Sequence, residues 1–263
     1  MNAIRPIDHI VWDWNGTLLG DSGAIIDATI AAFAACGLPS VTAAEYRRRH
    51  TQPISEFYNR LAGRRLSDEE QARLLTCFHT AYGRRRKLVS LAVDAVEALS
   101  LWAEAGRRQS LLSMYPHDLL MPMVTGTGIG HFFARVDGTD GVDIASKAPH
   151  LSRHLKQLGV SPKRVLVIGD SIDDARAARA CGAHSVLYHS GENALHLREH
   201  FAEVGVPVVT TLRGAVEDLL SGCGQDAGTP SDVGRPVVAP AGEELGCIPD
   251  VGRSCRPAGD ARQ

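Results

Sequence analysis

The sequence predicts an α/β protein, a doubly wound parallel sheet carrying an inserted all-helical segment. Three observations lead there. The runs Ile7–Trp14 and Val165–Ile168 are apolar at most positions, as strands covered on both faces are. From Lys87 onward such runs alternate with helical stretches, several closed by glycine, the order expected of a parallel sheet with helices on both faces. Between Asp21 and Lys87 the apolar residues recur at helical spacing and no strand pattern is found.

Taken in order, Ile7–Trp14 is the first strand. Ile25, Ile26, Ile30 and Phe33 mark a helix stopped at Gly37-Leu38-Pro39, and further helices are expected around 42–50, 53–62 and 67–86. Val93–Ala105 is a helix ended by Gly106, Gln109–Ser113 a short strand, His117–Val124 a helix and Ala134–Val136 strand-like. Lys147–Leu158 has Leu151, Leu155 and Leu158 on one face and is closed by Gly159. After the strand Val165–Ile168 come a helix over Ser171–Cys181 closed by Gly182, strands at Ser185–Tyr188 and Val206–Val209, and a last helix at Arg213–Leu220. Residues 223–263 are rich in Gly and Pro, lack aromatics and offer too little apolar area to offset ordering entropy, which predicts a disordered tail. The expected organisation is a core of 1–20 and 88–222, a helical insertion of 21–87 and the tail. "TGTGIG" at 125–130 has the wrong glycine spacing for a nucleotide loop and reads as a connection.

Composition bounds the function. Of 263 residues, 44% are hydrophobic and 22% charged, with a formal net charge of −2, so no nucleic-acid partner and no membrane surface are expected. No apolar run approaches the roughly 20 residues of a membrane span, and the N-terminus lacks the apolar core of a secretory signal, so a cytoplasmic location is expected. The six cysteines form no CxxC pair and read as free thiols. The arginine clusters at 47–49, 64–65 and 84–86 read as solvated faces of the insertion, one of them a candidate to reach a substrate. The oligomeric state is left open.

Locally, Asn15-Gly16 between apolar runs reads as a hairpin tip. The rest of the chain favours a different reading. Asp13 ends the first strand, Ser113 a later one in "SLLSMY", Lys147 opens a helix in "ASKAPHL", and Asp170 ends the strand in "VLVIGDSIDD" with Asp174 four residues on. In a parallel sheet the carboxyl ends of all strands lie on one edge, where ligands bind. Two carboxylates there can hold Mg²⁺ through oxygen, while the metal and a lysine neutralise phosphate oxygens. A carboxylate nucleophile would divide phosphoryl transfer into two steps. Asp174 also suits a capping box with Ser171, and Asp173 reads as a solvated first-turn acid. A lysine near a helix start is disfavoured by the dipole unless an anion lies close by.

These motifs resemble those of the haloacid dehalogenase-like (HAD) hydrolase superfamily, in the subgroup of phosphoglycolate phosphatases with a helical cap. "DWNGT" at 13–17 matches its first motif with one departure, Ser113 the second, Lys147 the third and "GDSIDD" at 169–174 the fourth. The resemblance covers roughly 1–220. It implies a Rossmann-like core and a Mg²⁺-dependent phosphatase of a small phosphorylated metabolite, working through an aspartyl-phosphate. It further implies that Asp13 is nucleophile and metal ligand, that residue 15 gives its main-chain carbonyl to the metal, that Thr17, Ser113 and Lys147 bind the phosphoryl group, and that Asp170 and Asp174 serve the metal.

The departure is Asn15, where the family's phosphatases usually carry a second Asp that protonates the leaving group and then activates water. An amide cannot exchange that proton, and positioned acid–base catalysis is typically worth about 10²–10⁴-fold. His117, also a candidate substrate contact, and His50 in the insertion are the candidate substitutes. The alternatives are a weakened HAD-fold binding or regulatory protein, and a phosphotransferase or mutase.

Overall fold

The computed structural model describes residues 7–140 and 146–223. Six parallel strands form one sheet in the order β3-β2-β1-β4-β5-β6. They are β1 (His9–Trp12), β2 (Arg108–Pro116), β3 (Val136–Thr139), β4 (Val165–Gly169), β5 (His184–Tyr188) and β6 (Val208–Val209). The chain winds outward from β1 to one side and, after β4, to the other, so the strand order reverses between β1 and β4. That reversal opens a crevice at the strand carboxyl ends, and Asp13 and Asp170 immediately follow the two strands that flank it.

The sheet is covered on both faces. Ile10, Trp12, Leu111, Leu166 and Ile168 pack with α5 (Ala95–Glu104) and α9 (Leu212–Cys223), while Val11, Leu112, Val165 and Val167 pack with α7 (Ala148–Leu158) and α8 (Ile172–Cys181). Alternate residues of β1 and β4 thus face opposite layers, which explains why these strands are apolar throughout. Between β1 and α5 stand α1 (Ser22–Ala35), α2 (Ala43–Arg49), α3 (Ile54–Ala62) and α4 (Asp68–Arg85), built on their own cluster around Phe33, Tyr46, Phe57, Tyr58, Leu61 and Leu74. Capping boxes start α2 at Thr42 and α4 at Ser67. Cys36, Cys77 and Cys181 are free thiols. Among the described residues no helix is long and apolar enough to cross a membrane. The expected tail at 223–263 lies outside the described residues apart from the last residue of α9.

Two element expectations need correction. The third strand is Val136–Thr139, not Ala134–Val136, and β2 continues past Ser113 to Pro116. Asp and Gly in "VDGT" argue against a strand, but Gly138 is required there: a Cβ would approach the Tyr115 carbonyl to 2.6 Å. Arg47 is not a solvated cation either, since it donates to the carbonyls of Ala194 and Glu192 and ties α2 to the loop after β5.

A buried polar chain crosses the core beneath the site. Arg135 and His154 Nδ1 both meet Asp137 Oδ2, His154 Nε2 lies 2.8 Å from Ser110 Oγ, and His9 Nε2 lies 2.8 Å from the same oxygen. The hydroxyl has one proton. With His154 donating to Asp137, Ser110 donates to His154, and His9 must donate to Ser110. This leaves His9 Nδ1 as an unprotonated nitrogen, buried without a partner among the described residues.

Candidate active site

Four of the expected residues meet at the carboxyl edge of β1 and β4. The Lys147 ammonium lies 2.5 Å from Asp13 Oδ1 and 2.5 Å from Asp174 Oδ1, and all three side chains are buried. Lys147 stands at the N-cap of α7, and these carboxylates offset its unfavourable place there. Asp174 makes the capping box foreseen for it, Oδ2 accepting from Ser171 N and Oγ at the start of α8, while its Oδ1 meets Lys147, a contact the sequence did not announce. Thr17 Oγ1 donates to Asp13 Oδ2 at 3.3 Å, and Ser113 Oγ accepts from the Tyr115 amide at 3.0 Å. Asp173 departs from expectation. It is half-buried and accepts the Lys147 backbone N–H at 2.9 Å, so it orients the lysine instead of facing solvent.

The electrostatics call for a further cation. Asp13, Asp170 and Asp174 offer oxygens all within 4.8 Å of one another, and with Lys147 as their one ammonium partner among the described residues the formal charge is −2. Asp170 Oδ2 is buried without a hydrogen-bond partner among the described residues. Burial pushes the Asp13 carboxyl up to about 7, with Lys147 opposing and Asp174 reinforcing the rise. Burial and then Asp13 raise Asp170 well above the carboxylate range. Burial alone would lower Lys147; the charges of Asp13 and Asp174 outweigh it and hold the ammonium protonated. A hard dication taking oxygen ligands fits this donor set. Gly16, at φ +72°, leaves room for Asp170, whose carboxylate a Cβ at that position would strike.

Asn15 is held in a way the sequence did not disclose. Its Nδ2 donates to Asp21 Oδ2 at 2.6 Å and to the Tyr82 hydroxyl at 3.1 Å. Tyr82 in turn donates to Asp21 Oδ2 at 2.5 Å, and Gly16 N donates to Asp21 Oδ1 at 2.8 Å. Asp21 occupies the N-cap position of α1 yet makes no capping bond there, because its fully buried carboxylate is turned back onto the loop after β1. A capping acid at a helix start was the one signal available for it. Tyr82, from α4, had none.

A cavity of about 640 Å³ opens over these groups. The core contributes Asp13, Ser113, Lys147 and Asp170 to its lining, the insertion Tyr46, His50, Phe78 and Tyr82. His117 also lines it and accepts the Gly138 N–H on Nδ1 at 3.2 Å, which leaves its proton on Nε2. His50 packs against Tyr46, Phe57 and His196, and burial, followed by the charges of His196 and His200, holds it well below 6.5. It is therefore neutral near pH 7 and poorly suited to donate a proton. Arg86 donates to the Tyr115 hydroxyl at the rim.

Residues 7–182 match the family model of the haloacid dehalogenase-like hydrolases, and the chain belongs to that family. Among curated relatives, a phosphoglycolate phosphatase of Thiobacillus denitrificans is 26% identical over 183 residues, covering 67% of this chain and 81% of the relative. One of Pectobacterium atrosepticum is 27% identical over 200 residues, 73% and 85% of the two chains. Among solved structures, a haloacid dehalogenase-like hydrolase of Streptococcus pneumoniae superposes with a TM-score of 0.69 at 18% identity, over 81% of this chain and 98% of that one. A hydrolase of Pseudomonas syringae gives 0.67 at 22% identity, over 84% and 100%. These structural likenesses concern the fold.

Proposed function

We propose that the protein is a Mg²⁺-dependent phosphatase of a small phosphorylated metabolite, with 21–87 acting as a cap on a core of 1–20 and 88–222. The observation that carries this reading is the meeting of Asp13, Asp170, Asp174 and Lys147 at the switch point of the sheet. A cavity of about 640 Å³ suits a metabolite, and the phosphoglycolate phosphatases among the relatives put small phosphorylated acids first among substrates.

Mg²⁺ would be held by Asp13, Asp170, Asp174 and the main-chain carbonyl of Asn15, and it supplies charge neutralisation at the phosphoryl oxygens. Asp13 attacks phosphorus and the ester P–O bond breaks, giving an aspartyl-phosphate and an alcohol whose oxygen takes a proton from solvent. Thr17, Ser113 and Lys147 bind the phosphoryl group. Water then attacks the phosphoenzyme, the Asp13–phosphorus bond breaks, and the carboxylate and inorganic phosphate are released.

One observation favours a second reading. Without a proton-exchanging group at position 15, the fold would also suit a phospho-ligand-binding protein, or a phosphotransferase in which water is the unwanted acceptor. A panel of phosphorylated metabolites assayed with and without Mg²⁺ decides. Metal-dependent phosphate release that is lost in Asp13→Asn, with the fold retained, supports the phosphatase. Binding without release supports the second reading, and hydrolysis persisting in Asp13→Asn refutes the nucleophile.

A further inference from the structure

The Asn15 amide nitrogen is already held, by Asp21 Oδ2 at 2.6 Å and by the Tyr82 hydroxyl at 3.1 Å. The assignment of nitrogen and oxygen follows from chemistry, because a carboxylate 2.6 Å away accepts only from the nitrogen. Asn15 lines the same cavity as Asp13. Its Oδ1 takes no hydrogen bond among the described residues. With its nitrogen turned to Asp21 and Tyr82, Asn15 offers an acceptor that no described residue occupies.

We propose that Asp21 and Tyr82 are positioning residues that lock Asn15 as a hydrogen-bond acceptor, so that its Oδ1 holds the water that attacks phosphorylated Asp13. The proposal rests on the phosphatase reading. Orientation here replaces proton abstraction. One water hydrogen points to Oδ1, the water oxygen forms the new bond to phosphorus, the bond from phosphorus to Asp13 breaks, and both water protons leave on the released dihydrogen phosphate. Asp21 is suited to the task because three donors converge on it: Gly16 N, Asn15 Nδ2 and the Tyr82 hydroxyl. Tyr82 belongs to α4 of the insertion, whereas Asn15 belongs to the loop after β1. The acceptor is thus fixed only while the insertion sits on the core, which links its seating to the second chemical step and not to the first.

The full-length protein with Mg²⁺ and p-nitrophenyl phosphate tests this. For Tyr82→Phe, kcat and KM should fall together by about tenfold, roughly the worth of one hydrogen bond, with kcat/KM unchanged, because only phosphoenzyme hydrolysis is slowed. A stopped-flow burst of p-nitrophenolate near one per site should precede turnover in both proteins, with the steady phase about tenfold slower in the variant. A fall in kcat/KM at constant KM, or no change at all, overturns the proposal. A second readout needs no turnover. Asn-Gly pairs deamidate when the glycine nitrogen attacks the asparagine Cγ, ammonia leaves, and water opens the ring. Here Gly16 N and the Asn15 amide are both held by Asp21, so Asp21→Asn and Tyr82→Phe should deamidate at Asn15 faster than wild type, read by peptide mass analysis. Equal rates in all three overturn the lock. If wild type hydrolyses nothing while the variants deamidate faster, the phosphatase reading fails and the positioning stands apart from it, with the assigned water role refuted.

Discussion

Replacing Asn15 by Asp puts a carboxylate oxygen where Nδ2 now sits, 2.6 Å from Asp21 Oδ2 in a buried site. Two carboxylates this close cannot both ionise, so the pair must hold a proton. The unfolded chain releases that proton with a pKa of about 4. The folded-state pKa is thus raised, and the associated stability is present at low pH and lost as pH rises. At about 1.4 kcal/mol per pH unit, the deficit relative to wild type should be near zero at pH 4 and about 4 kcal/mol at pH 7, less whatever the shared short hydrogen bond returns. Urea unfolding of both proteins across this range measures it, and other titrating groups cancel in the difference. The same proton sits beside the cavity, so alkyl phosphate hydrolysis should rise by up to ~10²-fold, the lower end of acid–base effects, with little gain on p-nitrophenyl phosphate. Adding Asp21→Asn restores an amide–carboxylate pair and should recover most of the stability at pH 7. A deficit that does not change with pH would refute the pairing of positions 15 and 21. Unchanged alkyl phosphate rates would refute the missing acid as the limit on turnover.

Other outcomes follow from the same geometry. Asp170→Ala should weaken Mg²⁺ binding, with activity partly recovered at high Mg²⁺; a wild-type rate indifferent to a chelator would remove the metal from the mechanism. Gly16→Ala should lose Mg²⁺ affinity and at least ~1 kcal/mol of stability, because φ is +72° and the new Cβ strikes Asp170; isothermal titration and thermal melting check both. Burial, then the charges of His154 and Arg108, lower His9 to about 4. Its depressed value means that stability is present above pH 6.5 and lost as pH falls toward 4, by about 3 kcal/mol in all. His9→Leu should remove that part of the acid sensitivity, and identical pH slopes in urea would show that His9 is not held neutral.

Strand ends were legible because they follow from local pattern. An apolar run covered on both faces, followed by a polar residue and then glycine or a helix start, marks Asp13 and Asp170 without knowledge of what lies beside them. Parallel pairing then places both on one edge, and the order of Ser113 and Lys147 completes the set. The same reasoning failed at β3, where "VDGT" has poor intrinsic preference and is a strand only because β2 stands beside it and Gly138 admits the Tyr115 carbonyl.

What the sequence determined by itself is which groups reach the carboxyl edge of the sheet. The tertiary structure decided how those groups are held. Asp173 looks like any first-turn acid until the Lys147 amide is seen to donate to it. Arg47 looks solvated until the loop after β5 is placed against it. Asn15 reads as a simple loss of a proton donor, and only the arrival of Tyr82, 67 residues away, shows how its amide nitrogen is held. Periodicity records which side of an element is buried, since burial recurs with the turn of a helix or the pleat of a strand. Hydrogen-bond direction leaves no such trace, because it depends on a partner brought in by packing from a distant part of the chain.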